Sequence, residues 1–316
     1  MGQSRRDLAG QDLSGRDFKG ADLKEACLAR AVCRGAAFAG ADLSGADFSY
    51  ASLAGGGFEG ANFQGARFYA AVFSGRPRED VGGGVRAVHG PGPATGFRGA
   101  DFRGTDLTAA LFDEIENRAL DFAGADFRSA KLSGLDLRGA TLRRVNLGQA
   151  DLTGALLDRA DMARALLPDA VLRNARLART VLWGARFAGT DFSGARLETD
   201  LPGADFSFVA LRSAALRGHF AGTRFREADL SGAVLAGDFS GADFSGATLK
   251  GADLAQAKVL GADLSGCDLA RANLAGVDFS GVALFGANLD GALVPGARFD
   301  DALITQEGLE ALKRTS

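Results

Sequence analysis

From Leu8 onward nearly every fifth residue is Leu or Phe, and the residue two places earlier is usually Ala, as in Ala41-Asp42-Leu43-Ser44-Gly45. The first run places its large residue at Leu8, Leu13, Phe18, Leu23, Leu28, Cys33, Phe38, Leu43, Phe48, Leu53, Phe58, Phe63, Phe68 and Phe73. A spacing of five matches neither the 3.6 of a helix nor the 2.0 of a strand, so a stacked repeat is required to bury that row. If each pentapeptide makes one straight side and one corner, four of them close a square coil of about twenty residues. Successive coils then stack through backbone hydrogen bonds about 4.8 Å apart.

The inside and outside of such a coil follow from size. The Leu or Phe fills the section, and a small Ala two places earlier leaves room for it. The other three positions face water, and the frequent Gly suits the corner. Cys33 takes a core slot, and Cys27 and Cys267 read as small repeat residues, because three thiols form neither an even set nor metal-ligand spacing. The two histidines, His89 and His219, have no Cys, Asp or Ser arrangement near them in the chain. No constellation for catalysis, a cofactor or a metal emerges, so the expectation is a binding protein and not an enzyme. The chain has no run of eighteen apolar residues and its N-terminus enters the repeat directly, which predicts a cytoplasmic protein without membrane contact.

The unit Ala, Asp or Asn, Leu or Phe, then two variable residues resembles the pentapeptide-repeat family over almost the whole chain outside 74–96 and the last dozen residues. The resemblance implies an all-β fold, a right-handed quadrilateral parallel β-helix, here with a C-terminal capping helix. Coils over 1–73 and 97–304 would form one solenoid, 74–96 an inserted loop and 305–316 the cap. It also implies a class of partner: some members engage DNA gyrase or another type II topoisomerase as DNA mimics and protect it from an inhibitor. Family members commonly dimerise through the C-terminal end. Direct nucleic-acid binding is not implied.

Four departures from the repeat carry information. Residues 74–96 hold three of the six prolines and no five-residue phase. They are either a tolerated surface insertion or a partner-contact loop, for which Arg76, Arg78, Arg86 and His89 are the candidate contacts. Gyrase-directed members use a projecting loop in recognition, which favours contact by resemblance. Next, Asn117 falls where Leu or Phe belongs, which suggests a bulge or a core Asn bonded to backbone. Third, the steps Leu197 to Leu201, Leu216 to Phe220 and Leu235 to Phe239 are one residue short, nineteen apart, so one corner tightens in three consecutive coils. Last, Thr305 is a helix cap, with Ile304 and Leu309 spaced as a staple and Lys313 and Arg314 at the far end.

The surface offers two further candidates. Residues 201–304 carry twelve acids against eight bases, whereas 1–74 and 97–200 are balanced. Residues about twenty apart share a face, so Asp243 and Asp263 form part of an acidic column that a basic, DNA-binding saddle would accept. Separately, Leu156, Leu166, Val171 and Val181 stand where Asp is usual, followed by the only tryptophan, Trp183, amid arginines. Aliphatic, aromatic and Arg side chains together mark binding hot spots. Two functions remain open: a topoisomerase-binding protein, or a scaffold rod that docks other proteins.

Overall fold

The computed structural model describes residues 6–73, 97–107, 109–110, 120–308 and 310, together with the backbone of 79–81 and 84–86. The chain divides into two compact units, Met1–Leu166 and Leu167–Ser316, each built as a parallel β-solenoid.

One repeat explains the first unit. Asp42 pairs in parallel with Asp22 on one side and Asn62 on the other, a step of twenty each way. The Leu43 N–H donates to the Asn62 carbonyl at 2.8 Å, and the Asn62 N–H donates to the Ala41 carbonyl at 2.9 Å, so each side is tied to the coils flanking it. At the corner the Ala46 N–H donates to the Leu43 carbonyl at 3.0 Å, with Gly45 at φ 67°. That positive φ is what a type II turn requires at its third residue. Asp42 Oδ1 accepts the Ser44 N–H at 3.0 Å, so the outward Asp of the repeat braces its own corner.

Glycine is preferred at this corner but is not obligatory. Ala70 (φ 53°) and Ala109 (φ 57°) adopt the same left-handed conformation, as do Tyr50 (φ 62°) and Arg144 (φ 54°). Each such residue costs about 1 kcal/mol, a strain the stacked coils hold in place.

Inside, the Leu or Phe and the small residue two before it are buried, as the spacing requires. Phenylalanines of successive coils lie ring on ring: Phe18 on Phe38 at 5.0 Å, Phe38 on Phe58 at 5.1 Å, Phe63 on Phe102 at 4.9 Å. The spacing is that of stacked strands, so backbone pairing and aromatic packing reinforce each other. Cys33 is fully buried, and loss of hydration pushes its thiol up to about 12.

Two of the irregularities that the sequence marks carry structure that the five-residue phase does not show. Within 74–96, β1 (Glu79–Val81) and β2 (Gly84–Arg86) pair antiparallel, with Glu79 opposite Arg86, so the insertion contains a two-stranded ribbon. The position of Asn117 lies outside the described residues. On either side of it Asp101 pairs with Asp126 and Asp106 with Lys131, a step of twenty-five. The coil around it is thus five residues longer than the usual twenty. An insertion of five preserves the five-residue phase and is invisible to it.

In the second unit, phenylalanines again stack, Phe187 on Phe206 at 4.6 Å and Phe225 on Phe244 at 4.8 Å. After Leu216 and Leu235 the one-residue deletions leave no corner turn, and after Leu197 only a bend at Thr199 remains; the full five-residue step after Leu254 is extended as well. The chain runs extended through β3 (Arg196–Glu198), β4 (Ala215–His219), β5 (Val234–Asp238) and β6 (Asp253–Lys258), a four-stranded parallel sheet in that order. Register advances by nineteen from β3 to β5, then shifts to twenty between Val234 and Ala236 against β6. The sheet closes so tightly that a Cβ on Gly237 (φ 153°) would stand 2.1 Å from the Gly218 carbonyl oxygen. Cys267, at an inward small-residue position, donates its thiol to the Phe244 carbonyl at 2.9 Å, and its pKa is pushed up to about 12 by burial.

The unit ends in a parallel pair, β7 (Ala283–Leu284) with β8 (Leu303–Ile304), followed by a short helix over 306–308 and 310. Thr305 caps it as expected, its Oγ1 accepting the Gly308 N–H at 3.2 Å.

Candidate functional site

In a solenoid the residue before each inward Leu or Phe points outward, and stacking aligns these residues into columns. In the second unit Arg186 precedes Phe187 and Asp205 precedes Phe206, whose rings stack. The column continues through Arg224, Asp243 and Asp263, joined by parallel bridges from Asp205 onward. Arg224 Nη2 donates to Asp205 Oδ2 at 3.0 Å, and Arg226 Nε lies 2.8 Å from Asp243 Oδ2. Burial opposes the charge of Asp205, but hydrogen bonds from Ser207 and the Arg224 guanidinium outweigh it and hold the carboxyl below its usual range.

Over this column lies a groove of about 670 Å³. Its charged lining residues are Arg186, Asp200, Asp205 and Arg224, two of each sign, with Trp183 and Pro202 at one edge and Phe208 at the other. Trp183 follows the inward Leu182, and Pro202 follows Leu201, so both sit on one corner of successive coils. Phe208 stands on the next corner at φ 61°, where the repeat usually has Gly. Trp183 is 50% exposed and Phe208 66%, the latter a large apolar surface for a residue anchored in a rigid frame.

The structure separates the residues that the sequence grouped as one apolar band. Within the first unit, Leu156 pairs with Asp136 and Leu166 with Asn146, two sides of the square apart, so they face opposite ways. Within the second, Val171 pairs with Asp191 while Val181 lies two pentapeptides further on, again on an opposing side. Of the apolar residues of the band, Trp183 alone lines the groove, beside Arg186 of its arginines. Asp243 and Asp263 do share a column in adjacent coils. Their carboxylates are already engaged: Asp243 Oδ1 accepts the Ser245 N–H at 3.0 Å and hydroxyl at 2.6 Å, and Asp263 Oδ1 accepts the Ser265 N–H at 2.9 Å. Arg76, Arg78 and His89 lie outside the described residues, and Arg86 ends β2, where the backbone alone is described.

His219, which the sequence leaves without a partner, has one. Its Nδ1 is 4.0 Å from Asp238 Oδ2, and its backbone N–H donates to Asp200 Oδ1 at 2.9 Å. The pairing arises because the shortened coils bring residues nineteen apart into register. Hydrogen bonds from Ser240, with the charges of His219 and Lys258, hold the Asp238 carboxyl below its usual range. Among the described residues, no group of three or more His, Cys, Asp or Glu side chains could hold a metal ion, and no helix is long and apolar enough to cross a membrane.

These features define a repeat protein whose chemistry lies on its outer faces. A family model described as pentapeptide repeats matches residues 26–65, 121–159, 155–194, 165–207, 219–258, 249–284 and 261–301, more than half of the sequence, and the chain belongs to that family. No curated protein matches the sequence significantly. Among solved structures it is similar to a trypsin-treated form of QnrB1, a plasmid-mediated fluoroquinolone resistance protein, at 18% identity over 68% of this chain and 94% of that one, with a TM-score of 0.39. It is also similar to HetL, a pentapeptide repeat protein involved in heterocyst differentiation regulation from the cyanobacterium Nostoc sp. strain PCC 7120, at 23% identity over 96% and 92% of the two chains and a TM-score of 0.17. A pentapeptide repeat protein from the Arabidopsis thaliana thylakoid lumen is 30% identical over 37% of this chain and 76% of its own, with a TM-score of 0.21.

Proposed function

We propose that this protein is a non-enzymatic binding scaffold that presents the groove of its second unit to a protein partner. The observation that carries the reading is the exposure of Trp183 and Phe208 on the two edges of one groove, above a floor of charged residues. Aromatic and Arg side chains on a rigid support lose little entropy on binding and supply most of the energy of protein interfaces. A photo-crosslinking amino acid at 208 is expected to trap a partner that the same residue at Tyr50, an exposed aromatic of the first unit, does not. Equal capture at both positions, or none at 208, would overturn the reading.

A second reading assigns a type II topoisomerase as the partner, with protection from an inhibitor as the outcome. The stacked column of Asp243 and Asp263 supports it, because a basic saddle evolved for phosphates attracts regularly spaced carboxylates. The alternation of Arg186, Asp205 and Arg224 further along the same column is unlike the uniform charge of DNA and weighs against mimicry. Gyrase supercoiling and drug-stabilised cleavage assays discriminate. Inhibition or protection that fades with added salt, with D243N/D263N, or on removal of residues 76–94 supports the topoisomerase; no effect over a wide concentration range leaves the scaffold with a different partner.

A further inference from the structure

We infer that the side of the second unit opposite the groove binds the phosphate backbone of a duplex nucleic acid through Arg176, Arg179, Arg196 and Arg217. Stacking of the coils creates the site. Arg176 pairs in parallel with Arg196, and both are exposed, so two arginines stand on adjoining coils of one outward column. A second row runs along one edge of that side: the Arg179 N–H donates to the Glu198 carbonyl, and Glu198 lies opposite Arg217 in the register of β3 with β4. Arg173 and Arg212 stand on the other edge, each just before a corner residue of positive φ, Asn174 and Ser213.

Charge on this side is one-sided, unlike that of the groove. Over three coils the six arginines meet a single acid, Glu198. Arg173 and Arg212 reach round to Asp191 and Asp229 on the adjoining side, and Asp200, beyond the opposite edge, accepts the His219 N–H. Four arginines less Glu198 leave a local charge of +3. Arg179, Arg196 and Arg217 form no ion pair among the described residues. Like charges at paired positions repel, and an anion laid across Arg176 and Arg196 relieves that repulsion. The basic stretch ends where the column passes through Ala215 and Val234 to Asp253. The whole chain carries −3, but charges more than about 8 Å apart are screened at physiological salt, so the local count governs.

The residues between the arginines decide the class of ligand. A protein interface is built on an apolar centre, whereas Ala178, Ser193, Thr199 and Ala215 fill this side and none of the exposed large hydrophobic residues lies on it in these coils. Interfaces with nucleic acid are more polar and far more positive, and the planar guanidinium fork matches phosphate. Among the described residues of this side there is no exposed aromatic ring on which an unpaired base could stack, so a duplex fits better than a single strand. Three coils span about 10 Å, enough to meet several phosphates of a duplex that carries one charge per about 1.7 Å of axis.

The test titrates a labelled DNA duplex of arbitrary sequence with the full-length protein and follows fluorescence anisotropy. Log affinity is expected to fall against log salt with a slope of about −3 to −4, so that a threefold rise in salt weakens binding roughly 30-fold or more. R196E/R217E is expected to weaken binding at least about tenfold and to make the slope shallower by about 2, with the melting temperature unchanged or higher. K258E/R271E reverses two exposed charges elsewhere in the unit and is expected to keep affinity within about threefold of the parent. Equal losses in the two variants would overturn the assignment to this side, and no binding at low salt would overturn the site. Tighter binding by a poly-glutamate peptide would replace the nucleic acid with an acidic polypeptide, and tighter binding by a single-stranded oligonucleotide would overturn the duplex.

Discussion

The ring of Phe97 lies on that of Phe58, centroids 5.0 Å apart and planes within 8°, although thirty-nine positions separate them in the chain. The ordinary step between stacked rings is twenty, so nineteen residues leave the solenoid between Phe73 and Phe97 without disturbing the core. Removing residues 76–94 restores the five-residue step from Phe73 to Phe97. The shortened protein is expected to fold with a melting temperature within a few degrees of the parent, since loop length alters closure entropy by about 1 kcal/mol or less. Differential scanning calorimetry checks this, and loss of the cooperative transition would show that the insertion supports the coils.

Gly237→Ala is expected to destabilise the second unit by roughly 2–4 kcal/mol. Its φ of 153° is foreign to L-residues, and the added Cβ meets the Gly218 carbonyl oxygen, a backbone atom that cannot rotate away. Gly222→Ala is the control: φ is 65° and nothing lies within 4 Å of the new Cβ, so the cost is about 1 kcal/mol. Urea unfolding of both variants separates the two, and equal losses would place the strain elsewhere.

Phe225→Ala is expected to cost about 3–5 kcal/mol, and Phe225→Leu about 1 kcal/mol. Phe225 is fully buried between Phe206 at 5.5 Å and Phe244 at 4.8 Å, whereas Leu occupies the equivalent inward position in many other repeats. A solenoid unfolds through its nearest-neighbour interfaces, so the Ala variant is also expected to broaden the transition.

Acid should destabilise the fold. Burial works against the charges of Asp47, Asp101, Asp191, Asp205 and Asp229, but bonds from the residue two places on, together with a nearby Arg, outweigh it and hold each carboxyl below 3.8. A depressed folded pKa gives stability that is complete above the unfolded value and is lost as pH falls through the folded one. The melting temperature is thus expected to stay level from pH 7 to about 5 and to fall steeply below about 4. Thermal melts in a buffer series test the sign; a decline on raising pH from 5 to 8 would contradict it.

Asp229→Asn is expected to cost under about 1 kcal/mol, and Asp229→Ala about 1 kcal/mol more. Asp229 Oδ1 accepts the Ser231 N–H at 3.1 Å, and an Asn can keep that bond, as Asn62 does for Gln64 at 3.0 Å. The exposed ion pair with Arg212 contributes less than the corner bond. Chemical denaturation of the two variants ranks the contributions.

The period of five by itself determined the side, the corner, the inward Leu or Phe and the small residue behind it. Each of those rests on interactions within about five residues or on repetition, and Cys33 and Thr305 were legible for the same reason. Which outward residues meet depends instead on the number of residues in each coil, and that number is nineteen, twenty, twenty-five or thirty-nine at different places. Five-residue phase is blind to an added pentapeptide, so the step of twenty-five around Asn117 could not be read locally. Likewise Leu156 and Leu166, only ten residues apart, face opposite ways, whereas Trp183 and Phe208, twenty-five residues apart, border one groove. Only the parallel backbone ladder settles such neighbours, because every insertion or deletion shifts the lateral register of all the coils that follow it.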